Sequence, residues 1–79
     1  MTKLPRITGN QMIKYLVNKK RFSKTAQKGS HVSLRSNDRW TTVPAKNEEL
    51  GPGLILTILD DVGISRDDFI HDWQNGLIK

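Results

Sequence analysis

The sequence predicts an α+β fold: a helix, three antiparallel strands and a second helix, followed by a short C-terminal helix. Three observations carry this reading. Apolar residues recur at helical spacing over residues 12–17 and again over 55–62. Between these stretches lie three short strand-forming runs joined by tight turns. The middle run alternates apolar and polar residues, so one face of the sheet is buried under the helices and the other is open.

The first helix enters at Ile7-Thr8-Gly9-Asn10, where Thr8 or Asn10 can cap the free N–H groups of the first turn. Met12, Ile13, Leu16 and Val17 form its apolar stripe. Lys14 and Asn18 fall on the polar side, as does Tyr15, roughly opposite the centre of the stripe. Lys19-Lys20-Arg21 closes the helix, its cations complementing the negative end of the helix dipole. The strands are read over 22–27, 31–36 and 40–43, with Lys28-Gly29-Ser30 and Asn37-Asp38-Arg39 as turns and Pro44 as the stop. On the second strand Val32 and Leu34 point one way, while His31, Ser33 and Arg35 point the other. Gly51-Pro52-Gly53 leads into the second helix, with Pro52 at its first position and Gly63 as its end. Ile55, Ile58, Leu59 and Val62 share one face of it, with Leu54 at the edge. At about 100° per residue, Leu56 lies well away from that face and is expected to be exposed. Ser65-Arg66-Asp67-Asp68 reads as a capped start for the last helix, anchored by Phe69, Ile70 and Trp73.

At 79 residues the chain is expected to form one domain, 1–79, with a single core. It has no cysteine. That removes disulfide scaffolds, thiolate zinc sites and cysteine nucleophiles, and it fits a reducing, cytoplasmic setting. No apolar run approaches the roughly 18–20 residues of a membrane helix, and the N-terminal run has no signal-peptide core, so no membrane partner is expected. His31 and His71 fall in different elements with no ligand spacing around them, so no metal site is expected. Glu48-Glu49 reads as solvated loop charge. Gly51-Pro52-Gly53 lacks the length, Lys and Ser/Thr of a phosphate-binding P-loop, and no cofactor is expected. The net charge is +5 and unevenly spread. Residues 1–46 hold eleven basic residues against Asp38 alone, whereas residues 47–79 hold two against seven acids. A basic region of this kind draws in polyanions, chiefly nucleic acid. The basic residues cluster on strands and turns, not on a base-reading helix, which argues against a DNA-binding regulator.

The order helix, three strands, helix, with both helices on one sheet face, is the layout of the double-stranded-RNA-binding domain. His31 follows a Gly-Ser turn and begins a strand among Lys24, Lys28, Arg35 and Arg39. Position alone leaves a structural or phosphate-contacting histidine open beside a catalytic one. The segment around it adds more. Gln27-Lys28-Gly29-Ser30-His31 is followed by Val43-Pro44, then by Glu49-Leu50-Gly51-Pro52-Gly53 running into Ile58-Leu59. Together with Gly9-x-x-Met12-Ile13-Lys14-x-Leu16 and Phe22, this order resembles the HicA (YcfA-like) toxin family, over about residues 7–69. Arg21 stands where that family commonly has a glycine, and Ala26 where an arginine is common. Lys46 stands for a histidine that often follows Val-Pro, and Leu56 for a residue that is usually polar.

The resemblance implies a small mRNA-cleaving toxin with a double-stranded-RNA-binding-like fold, neutralised by a HicB-type antitoxin. It places the catalytic histidine of Gly-Ser-His on His31. RNA carries its own nucleophile, the 2′-hydroxyl, so a metal-independent endoribonuclease needs a proton-transfer group and cations near the phosphate. His31 is expected to supply the first. Lys28 and Arg35, with Lys24 and Lys46 as further candidates, are expected to bind phosphate. The Ser30 hydroxyl and the backbone N–H groups around Gly29 are expected to donate to its oxygens. Tyr15 and Leu56, read as displaced from their apolar stripes, are expected to offer the antitoxin an apolar anchor. A non-catalytic RNA-binding domain explains the charge and the fold equally well.

Overall fold

The computed structural model describes residues 3–79; Met1 and Thr2, the first two residues of the N-terminal run read above, lie outside them. Helix α1 (Gly9–Lys19) begins where the sequence places a cap. The Thr8 hydroxyl accepts from the Gln11 N–H at 3.1 Å, and the Gln11 side chain accepts from the Thr8 N–H at 2.8 Å. This reciprocal pair satisfies two donors that a helix start otherwise leaves open. Past the helix, Arg21 takes a φ of 61°, a left-handed conformation that glycine adopts without strain. Arg21 is also the position where the resembled family commonly carries glycine. The reversal lets the Phe22 N–H donate to the Leu16 carbonyl at 3.0 Å and drops the Phe22 ring into the core.

Strands β1 (Ser23–Lys28), β2 (His31–Ser36) and β3 (Arg39–Pro44) form an antiparallel meander in the order β1-β2-β3. The β1–β2 turn is tighter than the sequence reading, because Lys28 pairs with His31 and leaves only Gly29 and Ser30 between them. Gly29 has a φ of 61° and Asn37, in the second turn, 55°, as short hairpin turns require. Helix α2 (Pro52–Val62) starts at Pro52 and stops at Gly63 with a φ of 74°. Helix α3 (Arg66–Gln74) is capped by Ser65, whose hydroxyl accepts from the Asp68 N–H at 3.1 Å.

Val32 and Leu34 of β2 and Thr41 and Val43 of β3 face the helices and are buried. They meet Met12, Ile13 and Leu16 of α1, Ile55, Ile58, Leu59 and Val62 of α2, and Phe69 of α3. Ile78, beyond the last helix, joins the same core. The Thr41 hydroxyl, buried among these groups, donates to Asp61 at 2.9 Å. Every residue of β1 is exposed. Its sequence, SKTAQK, offers no large apolar side chain for a helix to cover, and its lysines discourage edge-to-edge pairing with other chains.

Two expectations are corrected. Tyr15 is buried, at 1% exposure, and presents no free surface. The two-layer reading of α1 put it on the polar side because it took no account of where α3 docks. Helix α3 covers it: Phe69 meets its ring edge-on at 5.8 Å between centroids, and its hydroxyl donates to Asp72 at 2.7 Å. Lys20 completes the group, 3.0 Å from Asp72 and over the Tyr15 ring. Trp73, read as an anchor of α3, is instead 45% exposed, and Phe69 and Ile70 are the buried residues of the helix.

The Tyr15–Asp72–Lys20 group makes a pH prediction. Burial works to raise the Asp72 carboxyl, but hydrogen bonds from Tyr15 and Lys20 and the charges of Lys20 and His71 outweigh it and hold it below the usual 3.8. Burial first, then the bond to Asp72, pushes the Tyr15 hydroxyl well above its ordinary value, so it stays protonated as the donor. A depressed carboxylate contributes stability that is complete above its unfolded value and is lost as pH falls through the folded one. Tyr15→Phe is therefore expected to cost about 1–3 kcal/mol at pH 7, since it deprives a largely buried carboxylate of a donor. Asp72→Asn is expected to flatten the loss of stability below about pH 4. Urea midpoints at pH 7 and pH 3 measure both; an acid-induced loss as steep in Asp72→Asn as in wild type would exclude Asp72 as its source.

Candidate nucleic-acid interface

Residues paired across antiparallel strands share a face, so the register defines what stands beside what. On the open face three rows cross the sheet. Lys28, His31 and Pro44 form the first, Ala26, Ser33 and Thr42 the second, and Ser23, Arg35 and Trp40 the third. No carboxylate belongs to any row. His31, Lys28, Arg35 and Trp40 are exposed, while Ser33 and Thr42 are half-buried between them. Arg35 lies four residue steps beyond His31 on the same strand, about 13 Å along the sheet.

The end that carries His31 is tied down from several sides. The Gln27 side chain donates to the Gly29 carbonyl at 3.0 Å and braces the turn. The Ser30 carbonyl accepts from the Ala45 N–H, which draws the segment after β3 beside the turn and brings Lys46 to this end. The Lys46 carbonyl in turn accepts from the Asn10 N–H at 3.0 Å, and Asn10 also donates to the Asn47 side chain at 2.7 Å. Gly9 lies directly against the Pro44 carbonyl. Lys28, Gly29, Ser30, His31 and Lys46 thus converge at one end of the sheet. Arg35 stands at the far end of the same face, with its Nε donating to the Asn37 carbonyl at 3.0 Å.

Two cations read as neighbours of His31 lie elsewhere. Lys24 pairs with Leu34, whose side chain faces the helices, so the register sets Lys24 on the opposite side of the sheet edge from His31. A bulge between Lys24 and Ala26 accompanies this switch. Arg39 also falls on the helix side and lays its guanidinium against Gly63, where an added Cβ would sit 2.6 Å from Cζ. That position complements the negative C-terminal end of α2. Ala26, where the resembled family commonly has an arginine, presents only a methyl group beside Ser33. Leu56 is 45% exposed on α2, as its angular position predicts.

Sequence reasoning missed Trp40, which is 63% exposed in the Arg35 row. The signal was available: Trp40 and Thr42 alternate with the inward Thr41 and Val43, the same pattern read on β2.

The arrangement offers a phosphodiester an exposed imidazole, a lysine paired directly across from it, a tight turn with free polar groups and a second cation further along. Among the described residues no three His, Asp or Glu side chains gather where they could hold a metal ion, and no helix is long and apolar enough to cross a membrane.

These features define a small α+β domain of double-stranded-RNA-binding-like layout with a basic open sheet face. A family model described as the HicA toxin of bacterial toxin–antitoxin systems matches residues 9–64, from the first residue of α1 to just past α2. The chain therefore belongs to the HicA toxin family and is the toxin type of component of a toxin–antitoxin system. No curated protein and no solved structure matches it.

Proposed function

We propose that this toxin is a metal-independent endoribonuclease of mRNA, acting in the cytoplasm, with His31 as its proton-transfer group and a HicB-type antitoxin as its inhibitor. The observation that carries the reading is the row Lys28–His31 on an open face free of carboxylates. The 2′-hydroxyl attacks the adjacent phosphorus. A 2′-O–P bond forms, the P–O5′ bond breaks, and a 2′,3′-cyclic phosphate and a 5′-hydroxyl result. His31 either takes the 2′-hydroxyl proton or gives one to the leaving 5′-oxygen, and water handles the other transfer. Lys28 and Lys46 offset charge on the phosphorane-like transition state. The Ser30 hydroxyl and the turn N–H groups donate to its non-bridging oxygens, and Arg35 holds a phosphate further along.

Incubation of the purified protein with single-stranded RNA in EDTA tests this. Fragments with cyclic-phosphate and 5′-hydroxyl ends are expected, and a fully 2′-O-methylated strand should stay intact. Binding without cleavage would instead make the chain an RNA-binding domain only.

For the antitoxin, exposed Leu56 remains as an apolar anchor, whereas buried Tyr15 does not. Leu56→Asp is expected to weaken the toxin–antitoxin complex by more than about 1 kcal/mol, with cleavage by the free toxin unchanged. Equal affinities of wild type and variant in titration calorimetry would remove Leu56 from the interface.

A further inference from the structure

We propose that Trp40 is a base-stacking subsite for single-stranded RNA, a few nucleotides from the phosphate at His31; the inference rests on the ribonuclease reading above. Among the described residues Trp40 is the most exposed of the large apolar side chains, at 63%, and it stands on the same open face as His31. Among the described residues no other ring and no cation stacks on its indole. Its direct cross-strand neighbour is Arg35, whose guanidinium is steadied by the Asn37 carbonyl and keeps further N–H groups for a ligand. A planar ring beside a fixed cation matches one nucleotide: the base stacks on the indole and its phosphate meets the guanidinium. From there the Ser33 and Thr42 hydroxyls line the path to Lys28 and His31.

Charge sets the path of the strand. On its other side Trp40 borders a shallow hollow at the sheet edge with Asp38, Arg39 and Asp61. The two carboxylates there outnumber the one guanidinium, whereas the Arg35 side has a cation and no carboxylate in its rows, so the backbone runs over the Arg35 side, toward His31. The subsite also selects the substrate class. A base inside a duplex is already stacked on its neighbours and cannot lie flat on an indole, whereas an unpaired base can. An unpaired stretch of message is therefore the ligand that uses both ends of the face at once.

The test uses a short 2′-O-methyl oligonucleotide, which lacks the nucleophile, and a blunt RNA duplex. Trp73→Phe provides the background in which tryptophan emission reports Trp40 alone. Single-strand binding is expected to quench that emission. Trp40→Ala is expected to weaken single-strand binding about 10-fold and to leave duplex binding and the salt slope unchanged. Trp40→Phe, which keeps an aromatic face, is expected to recover most of the loss. Lys28→Ala, by contrast, should weaken single strand and duplex alike and lower the salt slope by about one. Because Trp40 is exposed, circular dichroism of its variants should match wild type. Unquenched emission, an unchanged affinity of Trp40→Ala, or an equal loss on single strand and duplex would each overturn the subsite. Wild type that binds the oligonucleotide with steep salt dependence while Trp40 stays silent would overturn the subsite and leave the ribonuclease reading standing. Wild type that binds neither RNA would overturn both. A Trp40→Ala variant that binds RNA normally but loses the antitoxin would make Trp40 a protein contact instead.

Discussion

His31→Ala is expected to slow RNA cleavage by about 10²–10⁴-fold, the usual contribution of a positioned acid–base group. The fold should survive. The side chain is exposed, makes no hydrogen bond among the described residues and is not part of the core. A surface change of this kind normally alters stability by less than about 0.5 kcal/mol. Binding should survive too, because the proposed phosphate contacts come from Lys28, Lys46 and Arg35 and not from the imidazole. The expected signature is therefore a variant that binds RNA with near-normal affinity, melts with the wild type and barely cuts. Quantified single-turnover cleavage in EDTA, with wild type and variant prepared identically, provides the measurement. The comparison also controls for a contaminating nuclease, which would be indifferent to residue 31. Cleavage by His31→Ala at the wild-type rate would remove His31 from the chemistry.

The elements were legible in the sequence wherever a local rule sufficed. Thr8 followed by Gln11, Pro52 at a helix start, Gly63 at its end and Ser65 before two acids each specify a terminus through neighbouring backbone groups. The alternation of β2 likewise fixed which residues face outward, and so placed His31 and Arg35 on one face. What was not legible depended on contacts distant in sequence. Tyr15 looks polar-facing on α1 taken alone; only α3, more than fifty residues away, makes it a core residue. Lys24 sits close to His31 in sequence, but the bulge at Thr25 turns it to the other face. Arg39 looks like part of the basic face until the end of α2 claims its guanidinium. Lys46 enters as a phosphate-binding candidate only through the resemblance, and the Ser30–Ala45 hydrogen bond, which ties its segment to the turn before His31, is a contact distant in sequence. Trp40 is the exception, since the alternation of β3 sets it outward by a local rule.

Gly9→Ala is expected to destabilise the protein by about 2 kcal/mol or more, at the upper end of overpacking costs. Local preference predicts the opposite. Gly9 is the first residue of α1 and does not need a positive φ, so alanine would favour an isolated helix by roughly 0.5–1 kcal/mol. The reversal comes from tertiary contact. A Cβ at residue 9 would overlap the Pro44 carbonyl oxygen outright and lie 2.9 Å from its carbon and 3.3 Å from the Lys46 nitrogen. Those atoms have little freedom to yield. The Pro44 carbonyl accepts from the Lys46 N–H, Pro44 pairs with His31, and the following loop is bound to the start of α1 by the Gly9 and Asn10 N–H groups. Relief therefore requires α1 and the end of β3 to separate, and Pro44 is the cross-strand neighbour of His31. For a domain of this size about 2 kcal/mol corresponds to roughly 8–16 °C in melting temperature. Gly53→Ala is the matched control, since Gly53 lies in the first turn of α2 with open space where its Cβ would go. It should be neutral or stabilising by up to about 1 kcal/mol. Chemical denaturation of the three proteins decides the matter: Gly9→Ala as stable as Gly53→Ala would show that the first turn of α1 does not depend on its close approach to Pro44.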